Sequence, residues 1–554
     1  MKKAFLFVGL LAVLFSGLSV FAQGPCATQS GKLACVIPQE YGIGSGGAFN
    51  FTTVLYDAQA PSGRNFHPQH FGSDFSTQLG PLTSDIARQA NLLPLASPSS
   101  GILLAYDPSV KTFVVSTSSL GPILGERGDT IGRHKLFVGF SYQFFNFDKI
   151  DGQNLRNIPA VLVHRPDNQD DTPIGTPPTI TCDASLSASS AQNTNGCSFV
   201  RDIISTQNSI ALKINQYTGY ITFGLTSHID VSMVIPFETV RMSLYSQDTI
   251  MPGSDGSFTP TPGSPDAILL NQNTTGTNGA PYFFHLFKDC PNTSPASGVS
   301  GLAPQCVSHN FPDPMWIGSA STPNGSRAVN SASGIGDVVA RVKWNALSGE
   351  HLRFAAGFDM RFPTGDALNF LGSGSYGAKP FVVLSYRARV SPHAMVGYEW
   401  NSHSILSSRQ TTVTTTGGSA QEIGLASGTK GYMPSDFLYT AGADAWLTKW
   451  LTASFDVVGA RYFRGGTESV TSQQFLAQCT SGCTTEPSQS TVTFKSLAPN
   501  LNASYSVTNA SMGVKIRPFP KASKLVLTAN VLVRLDNGGL HSKPAPMAGI
   551  GYTF

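Results

Sequence analysis

Charged side chains are scarce in this chain. Asp, Glu, Lys and Arg together make up 12% of its 554 residues, and the formal net charge is only +3. Such a small charge gives no reason to expect a polyanionic partner. The sequence also lacks any run of like charges and any basic stripe interleaved with aromatic residues, so it does not indicate binding to nucleic acid.

Long apolar runs are missing after the first residues. The chain begins MKKAFLFVGLLAVLFSGLSVFAQG, with two lysines, an apolar region over residues 4–20 and a small-residue cleavage site before Gln23. This pattern predicts a signal peptide over residues 1–22, with an uncleaved anchor helix as the alternative. Beyond residue 22 no stretch approaches the roughly 20 apolar residues that a membrane helix needs. If the mature chain spans a membrane, we expect it to do so as a β-barrel.

Catalytic and cofactor-binding patterns are also lacking. The sequence has no G-x-S-x-G, H-E-x-x-H or P-loop pattern. The stretch GSGSYG at 372–377 fits a dinucleotide-binding pattern, but it precedes an alternating strand instead of opening a helix. His67 and His70 flank a proline and have no third ligand nearby. We therefore expect no enzyme activity, no cofactor and no metal site.

Cysteine is rare, and its eight copies fall into four neighbouring pairs. The candidate disulfides join Cys26 to Cys35, Cys182 to Cys197, Cys290 to Cys306 and Cys479 to Cys483. An even number of cysteines after a secretory signal predicts disulfides in an oxidising compartment. A metal site at Cys479 and Cys483 is the alternative, which the absence of a nearby histidine disfavours.

Alternating hydrophobicity is abundant from residue 134 onward. In HLRFAAGFDMRF (351–362) every second residue from Leu352 is apolar, and Asp359 and the arginines fall between. About twelve segments follow this period-two pattern, and their connections alternate strictly between very short and long. A soluble sandwich has no reason to sort its loops in this way, whereas a membrane barrel does. We predict an all-β, transmembrane antiparallel β-barrel over 134–554, with long external loops and about twelve strands; fourteen is the alternative, because 199–225 and 491–517 are the least certain segments.

Residues 23–133 differ from the predicted barrel. The stretch SDIARQANLL predicts a short helix that ends at Pro94, and 102–117 reads as a hairpin. We interpret this region as a small N-terminal module, either a plug inside the barrel or a periplasmic extension.

If the apolar faces meet lipid, the residues between them line the lumen. The candidate lumen-lining residues are Arg341, Lys343, Arg353, Asp359, Arg361, Arg387, Arg389, Glu399, Asp444, Asp456 and Arg534. These charges either pair across neighbouring strands and stiffen the wall, or their surplus of cations biases a pore toward anionic solutes. The first interpretation is favoured, because a polar lumen requires paired charges in any case.

Three stretches resemble a known family. They are GIGDVVARVKWNALSGEHLRFAAGFDMRFPTGDALNFLGSGSYGAKPFVVLSY (334–386), FGLTSHIDVSMVIP (223–236) and residues 97–152. They resemble the outer-membrane barrels labelled MetA-pathway of phenol degradation, which are similar to the toluene and long-chain fatty-acid channels. The resemblance implies a bacterial outer-membrane channel for small solutes, hydrophobic or aromatic ones included. The chain also ends MAGIGYTF, which resembles the signal that bacterial barrel-assembly machinery reads at a terminal phenylalanine, here Phe554.

Several function classes follow from these patterns. The first is a passive channel whose partners are outer-membrane lipid and a small-molecule solute. The alternative is a structural or surface-display barrel whose disulfide-pinned loops, at 149–198 and 245–335, bind partners. A barrel enzyme and a soluble secreted β-protein are the remaining alternatives, and no Ser, His and acid constellation in the sequence favours the enzyme.

Overall fold

Twelve β-strands form the central element of the fold. The computed structural model describes residues 32–37, 78–94, 104–107, 112–115, 120–163, 203–251, 325–407, 411–415, 418–422, 430–448, 450–477, 490–519 and 524–554. The twelve strands are β1 (Leu136–Ile150), β2 (Ile203–Gly224), β3 (Ile229–Met251), β4 (Val338–Ser348), β5 (Leu352–Phe362), β6 (Gly377–Tyr386), β7 (Val390–Asn401), β8 (Asp436–Thr448), β9 (Leu451–Tyr462), β10 (Tyr505–Ile516), β11 (Leu525–Arg534) and β12 (Ala545–Thr553).

Backbone hydrogen bonds close these strands into a barrel. Each strand pairs antiparallel with the next one along the chain, and the last returns to the first. Phe140 of β1 lies opposite Ile550 of β12 on one side and opposite Gly219 of β2 on the other. A closed ring leaves no unpaired strand edge, which is what a sheet needs in order to sit in lipid. The predicted all-β barrel is confirmed with twelve strands, because 199–225 and 491–517 each contribute a single strand to the ring.

Burial alternates along the strands in the way the sequence predicted. In β5, Leu352 and Phe358 are 42% and 46% exposed, whereas Asp359 is 3% exposed. Exposed tryptophans such as Trp344 and Trp400 lie on the same outer surface. Apolar side chains therefore face outward and polar ones inward, the arrangement of a transmembrane barrel rather than of a soluble sandwich. No helix among the described residues is long and apolar enough to cross a membrane.

The two ends of the barrel differ in their connections. The strand ends that flank the short connections 225–228, 349–351, 387–389, 449–450 and 517–524 all lie at one end of the barrel, called here the short-turn end. The other connections lie at the opposite, long-loop end. Strands β2 and β3 have 22 and 23 residues, which corresponds to about 70 Å at the usual rise per residue. They exceed an apolar band about 25 Å tall and therefore extend beyond the membrane at the long-loop end.

Further short strands lie outside the ring. They are Leu104–Asp107, Thr112–Val115, Gln153–Asn154, Ile158–Val163, Gly325–Ile335, His403–Ser404, Thr411–Thr415, Gly418–Glu422, Gly431–Tyr432, Val470–Ala477, Ser490–Leu497 and Leu540–Ser542. Gly325–Ile335 pairs with β3 beyond the start of β4, and Val470–Ala477 forms a hairpin with Ser490–Leu497. The sequence predicts Gly325–Ile335 as part of the long loop 245–335 and residues 470–477 as part of a long loop at 464–490. The sequence does not predict these strands because their residues lack a continuous apolar face.

Within its described residues the N-terminal module contributes one α-helix, α1 (Leu79–Ala90), and short 3₁₀ turns occur at Leu33–Cys35, Ala367–Asn369 and Ile405–Ser407. Helix α1 begins earlier than the sequence predicted and buries Leu79, Leu82 and Ile86 in the main apolar cluster. Leu104–Asp107 pairs with Thr112–Val115 as the predicted hairpin. These contacts fix part of the module onto the barrel.

Candidate functional site: the barrel interior

A stretch of chain before β1 lies inside the ring. Residues 120–131, called here the inner segment, are almost entirely buried. They contact inward-facing side chains from eight consecutive strands, β3 to β10. The contacted residues are Asp230, Arg341, Lys343, Arg353, Ser385, His393, Asp444, Thr452, Asp456 and Lys515. Because these residues lie toward the short-turn end of their strands, the inner segment crosses the barrel at that end.

Ion pairs fix the charged residues of the inner segment to the wall. Glu126 pairs with Arg341, and Lys343 Nζ lies 3.5 Å from Glu126 Oε2. Arg127 pairs with Asp444. Each of these side chains is at most 11% exposed. A buried charge whose partner is removed is strongly destabilising, so these pairs define one position for the segment.

Side chains of the barrel wall also form hydrogen bonds with backbone groups of the inner segment. Gly128 N donates to Ser385 Oγ at 3.0 Å, and Ile131 N donates to Asp230 Oδ2 at 3.0 Å. From the other side, Lys515 Nζ donates to Pro122 O at 2.5 Å. The segment has no regular secondary structure, so the wall supplies the hydrogen bonds that a helix or sheet would otherwise provide.

Gly125 is required by the closeness of the wall. A Cβ atom at this position would lie 2.6 Å from His393 Nε2 and 2.9 Å from Asp456 Oδ1. His393 itself lies between two carboxylates: its Nε2 is 2.6 Å from Asp456 Oδ1, and its Nδ1 is 3.5 Å from Asp444 Oδ1. The inner segment therefore packs directly onto a buried His and Asp cluster with no room for a side chain.

The long-loop end of the barrel is contacted by helix α1 and its neighbours. Gln78 bonds the backbone of Val161 through both ends of its amide, with Nε2 donating at 2.6 Å and Oε1 accepting at 3.0 Å. Arg88 Nη2 donates to Gly465 O at 2.8 Å. Lys32 Nζ lies 2.6 Å from Asp366 Oδ2. The N-terminal module thus contacts the barrel at both of its ends.

The buried carboxyl group of Glu468 and the partly buried one of Asp151 meet beside these contacts. Asp151 accepts backbone hydrogen bonds from Glu468 at 2.8 Å and from Gly539 at 2.6 Å. Neither carboxylate oxygen of Glu468 has a hydrogen-bond partner among the described residues. Burial, reinforced by the nearby charge of Asp151, raises the pKa of Glu468 to about 8. Burial also raises the pKa of Asp151, against the opposing effect of its backbone donors.

A cavity of about 220 Å³ lies between the two contact regions. Leu124 and Glu126 of the inner segment line one side of this chamber, and residues 91–94 after helix α1 line another. The remaining wall comes from strands around the ring and from Asp337, Leu371 and Gly372. The chamber is therefore an interior space bounded by both parts of the N-terminal module.

Charged residues on the chamber wall are largely paired. Arg341 Nε lies 2.6 Å from Asp359 Oδ1, and Lys379 Nζ lies 2.8 Å from Asp359 Oδ2. Arg361 Nη2 lies 3.0 Å from Glu399 Oε1. This pairing corresponds to the interpretation in which the lumen charges pair across neighbouring strands.

Most candidate lumen residues take part in the interior network. Arg353 and Arg387 approach Asp129 Oδ1 at 3.4 and 2.5 Å, and Arg534 Nε pairs with Asp536 Oδ1 at 2.7 Å. Arg389 differs from the others, because it lies exposed in the turn at 387–389. The sequence predicts this strand over 379–390, but β6 ends at Tyr386. Arg389 therefore lies beyond the strand, where side chains no longer alternate between inside and outside.

Sequence analysis missed several charged residues of the interior. They are Glu126, Arg127, Asp129, Asp230, Glu238, Asp337, Lys379, His393, Asp436 and Lys515. Asp436 and Asp444 are eight residues apart in β8, so their side chains face the same side of the sheet. Following the alternation from Asp444 back along the strand therefore identifies Asp436 as inward-facing. The residues of the inner segment lie in a stretch without periodicity, and no local pattern reveals them.

The candidate disulfides lie mostly outside the described residues. These are Cys26, Cys182, Cys197, Cys290, Cys306, Cys479 and Cys483. Cys35 is buried and disulfide-bonded, and the pairing scheme as a whole stays a prediction. Within the described residues no group of three or more His, Cys, Asp or Glu side chains is arranged to hold a metal ion.

Comparisons with known proteins give distant similarities to solved structures. No family model matches the chain, and no curated protein matches it. An outer-membrane channel from Pseudomonas putida F1 is 8% identical with a TM-score of 0.36, over 78% of this chain and 99% of that one. A Pseudomonas aeruginosa FadL homologue is 9% identical with a TM-score of 0.23, over 76% and 88%. A deletion mutant of the TodX monoaromatic hydrocarbon channel is 10% identical with a TM-score of 0.20, over 81% and 99%.

At these TM-scores the similarities carry no weight of their own. The closed ring of hydrogen-bonded strands, with its apolar outside and polar inside, is what defines the class. The protein is a twelve-stranded transmembrane β-barrel whose interior holds a segment of its own chain.

Proposed function

We propose that this protein is an outer-membrane channel that lets small solutes pass passively across the membrane, hydrophobic or aromatic ones included. The observation that carries the proposal is the chamber inside the barrel, between the inner segment and the residues after helix α1. A barrel that served only as a scaffold would need no interior space of this kind. Passive passage requires no cofactor or energy source.

The solute class rests on the chamber and on the sequence resemblance. Apolar side chains supply part of the chamber wall: Leu92, Leu93, Leu124, Leu438 and Val458. Ligand sites of this type combine apolar walls with a few placed polar groups. The resemblance to barrels similar to the toluene and fatty-acid channels supports the same class.

Residues 23–133 act in this proposal as the plug. The inner segment is fixed by ion pairs as well as by the buried side chains of Ile123, Leu124 and Ile131, and water can replace the ion pairs when the segment moves. A solute that enters from the long-loop end passes the contacts of helix α1, reaches the chamber, and leaves at the short-turn end when the inner segment is displaced.

The cellular setting follows from the ends of the chain. Residues 1–22 would direct export, and the barrel would then insert into the bacterial outer membrane. Phe554 closes the last strand, with its backbone N donating to Leu136 O at 2.7 Å. We propose that the barrel-assembly machinery recognises this terminal phenylalanine.

Single-channel conductance of the refolded, full-length protein in a planar bilayer tests the proposal. Intact protein should be closed for most of the time. The double variant Glu126→Gln and Asp129→Asn should open more often, because it removes charges that hold the inner segment. Glu350→Gln is the matched control, since this carboxylate lies 90% exposed in a short turn.

Heat-modifiable gel migration shows that each protein is folded. Silence of both folded proteins, together with no uptake of a neutral aromatic solute into liposomes, would contradict the channel. The display barrel with partner-binding loops would then be the better interpretation.

A further inference from the structure

Carboxylates outnumber bases on the wall of the chamber. The acidic lining residues are Glu126, Glu238, Asp337, Asp359, Glu399 and Asp436, and the basic ones are Arg341, Arg361 and Lys379. This balance is opposite to the one counted from the sequence, where cations exceeded anions. The difference arises because the inner segment and the missed acidic residues contribute to the chamber.

Four of the six carboxylates have basic partners. Asp359 and Glu126 are bound by Arg341, with Lys379 also on Asp359 and Lys343 also near Glu126. Arg361 binds Glu399, and its Nη1 approaches Asp337 Oδ2 at 3.7 Å. Four bases therefore serve four carboxylates, and this part of the wall is close to neutral.

Glu238 and Asp436 form no ion pair among the described residues, although the charges of Arg361 and Lys379 act on Asp436 from a distance. Glu238 accepts a hydrogen bond from Gln216 Nε2 at 2.9 Å and is 5% exposed. Asp436 is 3% exposed, and its one side-chain hydrogen bond comes from Asn401 Nδ2 at 3.4 Å. Burial makes the ionised form of each carboxyl group unfavourable, and a cation that enters the chamber gains energy by stabilising that form.

The rest of the wall suits an apolar body attached to that charge. Tyr439 and Tyr462 line the chamber together with Leu92, Leu93 and Leu438. Tyrosine faces attract ammonium groups as well as apolar groups. The cavity volume of about 220 Å³ fits a small molecule rather than a large one.

We infer that the chamber binds small organic cations that carry an apolar body, and that Glu238 and Asp436 select the positive charge. This inference rests on the proposed function, because it specifies which solute the chamber accepts. Neutral molecules of the same shape bind through the apolar wall alone, and anions are disfavoured by the unpaired carboxylates.

Titration calorimetry on the refolded full-length protein in detergent tests the inference with three probes of one skeleton: phenylpropylamine, phenylpropanol and phenylpropionate. At neutral pH the amine should bind about tenfold more tightly than the alcohol, the size of effect expected from one charge-assisted hydrogen bond. The carboxylate should bind more weakly than the alcohol. Titration into protein-free micelles corrects for partition of the probes into detergent.

Two single variants assign the selectivity. Glu238→Gln and Asp436→Asn should each weaken binding of the amine, and the variant that removes the carboxylate in contact with the ammonium should lose about tenfold. Binding of the alcohol should stay unchanged, which shows that the chamber itself is intact. Glu350→Gln, which removes an exposed carboxylate, should leave all three affinities unchanged.

Failure of the inference differs from failure of the channel. Equal affinities of the three probes, or an amine affinity that neither variant changes, would overturn the cation preference and leave a chamber that binds by apolar contact. Binding of none of the probes to folded protein would count against the inference and against the chamber as a solute site.

Discussion

Asp129 of the inner segment accepts a hydrogen bond from Arg387 Nη2 at 2.5 Å, although the two residues are 258 positions apart in the chain. Arg387 lies in a short turn of the barrel and Asp129 in the chain that precedes the first strand. Arg353 reaches the same carboxylate oxygen at 3.4 Å. One acidic residue thus neutralises two arginines at the short-turn end, and this part of the interior depends on the inner segment for its charge balance.

Gly125 should be a sensitive position for the seating of the inner segment. Gly125→Val places a side chain where His393 and Asp456 already lie, since even a Cβ would be 2.6 Å from His393 Nε2. We expect the inner segment to move away and single-channel openings in a planar bilayer to become more frequent. Gly219→Ala is the control, because its Cβ would meet its nearest atom, Ile235 O, at 3.8 Å. Unchanged gating in the folded Gly125 variant would contradict the placement of the segment.

His393 should stabilise the barrel by neutralising Asp444 and Asp456. His393→Leu removes the group 2.6 Å from Asp456 Oδ1 and leaves the buried Asp456 carboxylate without its basic partner, whereas Asp444 keeps Arg127. We expect the free energy of unfolding to fall by about 3 kcal/mol, the lower part of the range for removing one partner of a buried pair. Urea-dependent gel mobility measures this change.

The double variant His393→Leu with Asp456→Asn is the comparison for that experiment. It removes the stranded charge of Asp456 and should recover part of the lost stability. Equal destabilisation by the single and double variants would show that lost packing, and not the stranded charge, is the cause.

The twelve ring strands could be predicted because lipid outside and polar groups inside impose strict alternation on every strand. Outside the membrane this constraint disappears, and Gly325–Ile335, rich in small polar residues, was predicted as a loop. The inner segment was missed for another reason: Glu126 and Arg341 are 215 positions apart, and no local pattern encodes such a pairing. The reversed charge balance of the chamber followed from these missed residues.

The contacts between helix α1 and residues 465–468 at the long-loop end should weaken as the pH rises. Burial and the charge of Asp151 raise the pKa of Glu468 to about 8, well above the ordinary value of about 4.3. A raised carboxyl pKa means that the folded state holds a proton that the opened state releases, so stability falls as the pH rises from the ordinary value through about 8. Asp151, whose pKa is also raised by burial, acts in the same direction.

Limited proteolysis at pH 6 and pH 9 measures this effect at the contact between residues 465–468 and helix α1. Cleavage there should be faster at the higher pH, relative to a denatured substrate that corrects for protease activity. Glu468→Gln keeps a neutral side chain at every pH, so most of the difference should vanish in that variant. A pH dependence as large as that of the wild type would assign the effect to other groups.

The outward face of β5 provides the test of membrane insertion. Phe358 is 46% exposed in the middle of this strand, opposite Val342 of β4. Phe358→Arg should lower the free energy of unfolding in lipid vesicles by about 3 kcal/mol, because a charge near the bilayer midplane loses its hydration. Leu347→Arg is the matched control: Leu347 is 48% exposed but lies one residue from the end of β4, beside a short turn. A charge at this interface costs at most about 1 kcal/mol. Because the two positions have equal exposure and differ in depth, equal effects of the two arginines would contradict a lipid-facing surface.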